Sequence, residues 1–68
     1  MPEVKSGQVW RHEKTGGDYL VLHPDTTLES TGERMVTYIN RETAKCWVRY
    51  YAEFVDGRFT LVRGGNDD

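Results

Sequence analysis

The sequence predicts an all-β domain, mostly antiparallel: five short strands closing into a small SH3-like barrel with one short 3₁₀ turn. Three observations carry this. Short stretches of β-branched and aromatic residues recur along the chain. Gly, Pro, Asn and Asp punctuate them at close intervals, and no segment is long enough for a substantial helix.

Gln8-Val9-Trp10-Arg11-His12 alternates like a half-buried strand. Gly16-Gly17 then supplies the positive φ a tight hairpin needs, and Tyr19-Leu20-Val21-Leu22 returns as the second strand. Its four apolar residues in a row suggest burial on both faces. His23-Pro24 is expected to end it, because proline donates no ladder hydrogen bond. Residues 25–33 then form a polar connection, in which Thr26-x-x-Glu29 has capping-box spacing for at most one helical turn.

The third strand is Arg34–Ile39, with Met35, Thr37 and Ile39 on one face and Val36 and Tyr38 on the other. A polar turn over residues 40–45 leads to the fourth, Cys46–Tyr50. Tyr51-Ala52-Glu53-Phe54 reads as a bend that plugs the core with Phe54. Asp56-Gly57 is a hairpin signal ahead of the last strand, Arg58–Val62. The domain thus runs over residues 7–63, with a loose lead-in at 1–6 and a disordered polar tail at 64–68.

Composition narrows the function. With 68 residues there is room for one domain, and a core this small supplies only about 3–5 kcal/mol of net stability. Two Trp, four Tyr and two Phe supply much of that core. The single cysteine, Cys46, excludes an intramolecular disulfide and a cysteine-paired zinc site, and it fits a reducing cytosol. It is expected to be buried, as free cysteines usually are. Neither an apolar run of about 18 residues nor a signal-peptide core is present, so the expectation is a cytoplasmic protein. The net charge of −2 gives none of the basic excess of an electrostatic nucleic-acid binder.

Certain residues in order carry a family resemblance: Gly7-x-x-Trp10-Arg11-His12-x-Lys14, then Gly17-x-Tyr19-x-Val21-Leu22. Asp25-Thr26-Thr27-Leu28-Glu29 leads to Met35-Val36-Thr37-Tyr38, and Trp47-Val48-Arg49 is followed by Phe54. The chain resembles the small bacterial and phage domains grouped as "domain of unknown function" family sixteen fifty-three, from Gly7 to Val62. It departs from them at Tyr50, where the family has Pro, and at His23-Pro24-Asp25-Thr26, where the family carries a His-Ser-Glu-Thr run. The resemblance implies a compact β domain in an accessory protein of phage or bacterial origin. It brings no activity.

Two constellations stand out. Trp10 shares a strand face with His12, and Trp47 with Arg49. Aromatic and Arg side chains are what interface hot spots use, although either Trp can instead be core. The expected contact surface is Trp10, His12, Tyr38, Trp47, Arg49 and Tyr50, engaging a protein partner. Nucleic acid bound through Arg and aromatic residues is one alternative, with acids interspersed among the arginines counting against it. A small-molecule or metal site at His12, His23 and Asp25 is another, without an established ligand spacing. No phosphate loop, nucleophile elbow or carboxylate pair is present, so neither a catalytic residue nor a cofactor is expected.

Overall fold

A computed structural model describes residues 3–64. Among them the elements are β1 (Val9–His12), β2 (Asp18–Thr27), β3 (Arg34–Asn40), β4 (Cys46–Tyr50), a one-turn helix α1 (Tyr51–Phe54) and β5 (Phe59–Arg63). The strands form one antiparallel sheet in the order β4-β3-β2-β1-β5. No ladder joins β4 to β5. The sheet is therefore open, and the expected closure into a barrel is not formed by hydrogen bonds. No helix among the described residues is long and apolar enough to cross a membrane.

Alternation along each strand builds the core on one face. Trp10, Val21, Val36, Tyr38 and Phe59 point inward, and Phe54 of α1 and Val4 complete the cluster. The rings interlock. Phe54 stacks on Phe59 at 4.3 Å between centroids, and Trp10 meets Phe54 edge-on at 5.2 Å. Phe54 thus plugs the core as the sequence suggests, because α1 folds it back over the sheet between the last two strands.

Three local expectations are corrected. First, β2 does not stop at His23-Pro24 but runs to Thr27. Its ladder with the chain before β1 ends near Val21, where Gly7 donates to the Val21 carbonyl. Beyond that point β2 has only β3 beside it, and the register shifts twice between Val21 and Thr26. Pro24 lies in this irregular stretch, where a missing donor costs little. The connection to β3 shrinks to a turn in which Leu28 donates to Glu33 O, and the capping-box spacing forms no helix. Along β2 itself, Val21 is buried while Tyr19, Leu20 and Leu22 are half-buried.

Second, Asp56-Gly57 makes no hairpin. Gly57 has φ +109° and turns the chain out of α1 into β5, whose partner is β1. Third, residues 3–6 are not loose. Val4 is fully buried, and the Gln8 side chain ties the segment down from beneath. The predicted tail at 64–68 lies, beyond Gly64, outside the described residues.

The β3–β4 turn is held by Asn40, whose Oδ1 accepts from the Glu42 and Thr43 backbone N–H groups at 2.8 and 2.9 Å. It leaves Ala44 at φ +62°, a conformation unfavourable for any residue with a Cβ. Ala44→Gly is expected to raise unfolding stability by about 0.5–1 kcal/mol, the relieved strain exceeding the added unfolded-chain entropy. An unchanged or lowered urea midpoint would show that this turn carries no strain.

Candidate functional site

The residues of the site come from the inward parity of all five strands. Tyr38 on β3 is paired with Trp47 on β4, and Val36 with Arg49, so Trp47 and Arg49 lie on the core face. His12 on β1 is paired with Phe59 on β5, and Trp10 with Tyr19 on β2. The buried rings fill the centre of this face. At its β4 side His12, Thr15, Tyr19, Tyr38, Trp47, Arg49 and Phe59 enclose a cleft of about 160 Å³. It adjoins an open groove lined by His12, Glu13, Lys14, Arg49 and Arg58.

The floor of the cleft is aromatic and rigid. Tyr38 meets Tyr19 edge-on at 5.3 Å and Phe59 at 5.6 Å. His12 packs edge-on against Phe59 at 4.8 Å. Thr15 closes on His12 Nδ1, with its backbone N–H at 3.3 Å and its hydroxyl at 3.1 Å. Trp47 forms a wall and stays 44% exposed, with the Lys45 ammonium 4.6 Å from its ring centre.

Arg49 crosses the rim. Its Nε donates to the Tyr38 hydroxyl at 3.4 Å, and a terminal nitrogen lies 3.5 Å from Glu53. Glu53 also pairs with Arg58 at 3.1 Å, and Arg58 reaches Asp56 at 3.5 Å. Glu13 is engaged by the Thr60 hydroxyl. Elsewhere Arg11 pairs with Asp18 across the first hairpin at 3.0 Å, and that hydrogen bond raises the Arg11 pKa above its ordinary value. Arg34 pairs with Asp25 and lies over the Tyr51 ring. These arginines are thus interleaved with carboxylates rather than gathered into a cationic field.

Of the six residues expected to make contact, His12, Tyr38, Trp47 and Arg49 meet at the cleft. Trp10 does not. It is 3% exposed, with its indole N–H on Gln8 Oε1 at 3.0 Å, so it is core. Tyr50 does not line this cleft, since strand alternation turns it to the outer face opposite Met35, but it joins Tyr38, Trp47 and Arg49 around a second pocket of about 320 Å³. Cys46, expected to be buried, is exposed at the start of β4 because that strand has no neighbour on its far side.

The alternative site at His12, His23 and Asp25 does not assemble. His12 lies beside Gly17, just before β2, and His23 is six residues further along, roughly 20 Å away at strand rise. No group of His, Cys, Asp and Glu suited to a metal ion occurs among the described residues. Sequence parity alone left out Tyr19 and Phe59, which enter through pairing. The hairpin at Gly16-Gly17 was the available signal that Tyr19 shares the face of Trp10.

No protein-family model, curated protein or solved structure matches this chain.

Proposed function

We propose that this chain is a non-enzymatic protein-interaction module that holds a partner segment at the cleft of His12, Tyr38, Trp47 and Arg49. The observation that carries the reading is the half-exposed Trp47 standing beside the Arg49 fork over a packed aromatic floor. A floor already ordered by its own core loses little entropy on binding, and covering Trp47 recovers its exposed apolar surface. The shape points to an extended occupant. The cleft of about 160 Å³ opens into the groove of about 590 Å³ that shares His12 and Arg49 with it. The cleft suits one inserted side chain of a peptide or loop and the groove the segment beside it, with Arg49 at the rim between them.

The consecutive strand order, with α1 set between β4 and β5, supports an SH3-like reading of the sheet. Protein is favoured over nucleic acid because Glu53 already engages both Arg49 and Arg58.

The test is selection of binding peptides from a random display library, followed by chemical-shift titration into isotope-labelled protein. Trp47→Ala is expected to weaken the selected peptide about 30-fold or more, a hot-spot loss near 2 kcal/mol. Val62→Ala, at an exposed valine of β5 away from the cleft, should leave affinity unchanged. Equal binding by Trp47→Ala, with its spectrum still dispersed, would refute the reading. Binding of single-stranded nucleic acid at the same residues, with steep salt dependence, would replace it.

A further inference from the structure

We propose that β4 is a self-association edge, pairing antiparallel with β4 of a second copy of this chain about a two-fold axis at Val48. The edge is bare. β4 ends the sheet, its five-residue ladder to β3 has no bulge, and three of the exposed large apolar residues lie on it: Trp47, Val48 at 57% and Tyr50 at 39%. Natural sheets blunt such edges with proline, bulges or outward lysines, and β4 carries none of them.

The backbone fixes what the edge offers. Asn40 donates to Lys45 O at 2.9 Å, so that pair is hydrogen-bonded. Alternation then turns the amide and carbonyl of Trp47 and Arg49 toward β3, and those of Cys46, Val48 and Tyr50 away from it. An axis at Val48 uses these outward groups in register. The two Val48 residues exchange both of their bonds, and each Tyr50 N–H meets the Cys46 carbonyl of the other copy. The Tyr50 carbonyl stays with the first turn of α1.

Side chains and charge agree with this register. Trp47 of each copy falls opposite Arg49 of the other on the cleft face, a cross-strand cation–aromatic pair. Antiparallel pairing also keeps the two Lys45 residues, one before each strand, at opposite ends of the interface. The second copy would thereby bring its own Arg49 to the rim of the first copy's cleft. The inference does not require that the cleft bind a peptide, since the pairing runs through the outward backbone groups of Cys46, Val48 and Tyr50, although it also brings Arg49 of one copy beside Trp47 of the other.

Sedimentation velocity of the full chain tests it. The mass is expected to rise from 7.9 kDa toward twice that value between about 10 µM and 1 mM, the regime of a small and weak interface. Val48→Lys, which sets two ammonium groups directly opposite each other, should remain monomeric throughout with an unchanged circular dichroism spectrum. Register is read separately by mild oxidation. In Tyr50→Cys the introduced thiol falls opposite Cys46 of the other copy, at the separation a disulfide accepts, and a covalent dimer is expected. Wild type, whose two Cys46 residues sit at opposite ends of the pairing, should not cross-link. A wild-type chain that stays monomeric at 1 mM, a Val48→Lys variant that still dimerises, or a Cys46–Cys46 cross-link would each overturn the proposal.

Discussion

Phe54→Ala is expected to abolish cooperative folding at 25 °C. Phe54 is fully buried, stacked on Phe59 and capped edge-on by Trp10, with the Tyr38 ring 5.3 Å away. Truncating a buried Phe to Ala costs about 3–5 kcal/mol, from lost transfer energy and the cavity left behind. A core in a chain this short supplies about the same amount in total. The loss therefore consumes the stability of the whole domain. Position adds to the effect, because Phe54 is the fully buried residue of a single helical turn, and the half-buried Tyr51 packs against the same cluster. Phe54→Leu, which keeps most of the volume, is expected to lose about 1–2 kcal/mol and to retain a sigmoidal urea transition. A cooperative transition in Phe54→Ala with a midpoint near wild type would show that α1 is not a structural plug.

The plug was legible before any coordinates because Phe54 is the largest wholly apolar side chain in the short stretch between two strands. Strand parity was equally legible. With a period of two, Trp47 and Arg49 share a face whatever the tertiary fold, and so do Trp10 and His12. Parity does not say which end of a face is covered, and that decides between the two tryptophans. Trp10 lies on β1, with neighbours on both sides, and Phe54 falls on it. Trp47 lies on the edge strand β4, beyond the reach of that ring.

The course of β2 past Pro24 was hidden for a related reason. A missing donor ends a strand only where a neighbour requires that donor, and the neighbour was not visible in the sequence. Asp56-Gly57 reports a local positive φ truthfully, but two strands must flank such a turn and pair before it becomes a hairpin. Here α1 intervenes, so β5 is delivered to β1 at the far side of the sheet. The buried Val4 escaped notice because one valine among polar residues has no period.

Gln8 is what makes Val4 part of the core, and Gln8→Ala is expected to destabilise the domain by about 2–4 kcal/mol. The side chain is buried and fully used. Its Oε1 accepts from the Lys5 backbone N–H at 2.7 Å and from the Trp10 indole at 3.0 Å, while its Nε2 donates to the Glu3 carbonyl at 3.1 Å. Removing it strands these groups, at about 1–3 kcal/mol for each that remains buried. The indole N–H cannot reach water without moving the ring, so it pays in full. The bonds to Lys5 and Glu3 hold residues 3–6 on the domain, and loosening that segment withdraws Val4 from the core. The two positions should therefore be coupled. In a double-mutant cycle, Val4→Ala is expected to cost about 1–3 kcal/mol in the wild-type background and clearly less once Gln8 is Ala, with a coupling of about 1 kcal/mol. Amide exchange at Lys5, protected in wild type by its bond to Gln8, should accelerate in Gln8→Ala well beyond the change set by global unfolding. Strict additivity, together with Lys5 exchange that merely follows global stability, would mean that the segment is held by Val4 alone and that Gln8 serves only the Trp10 indole.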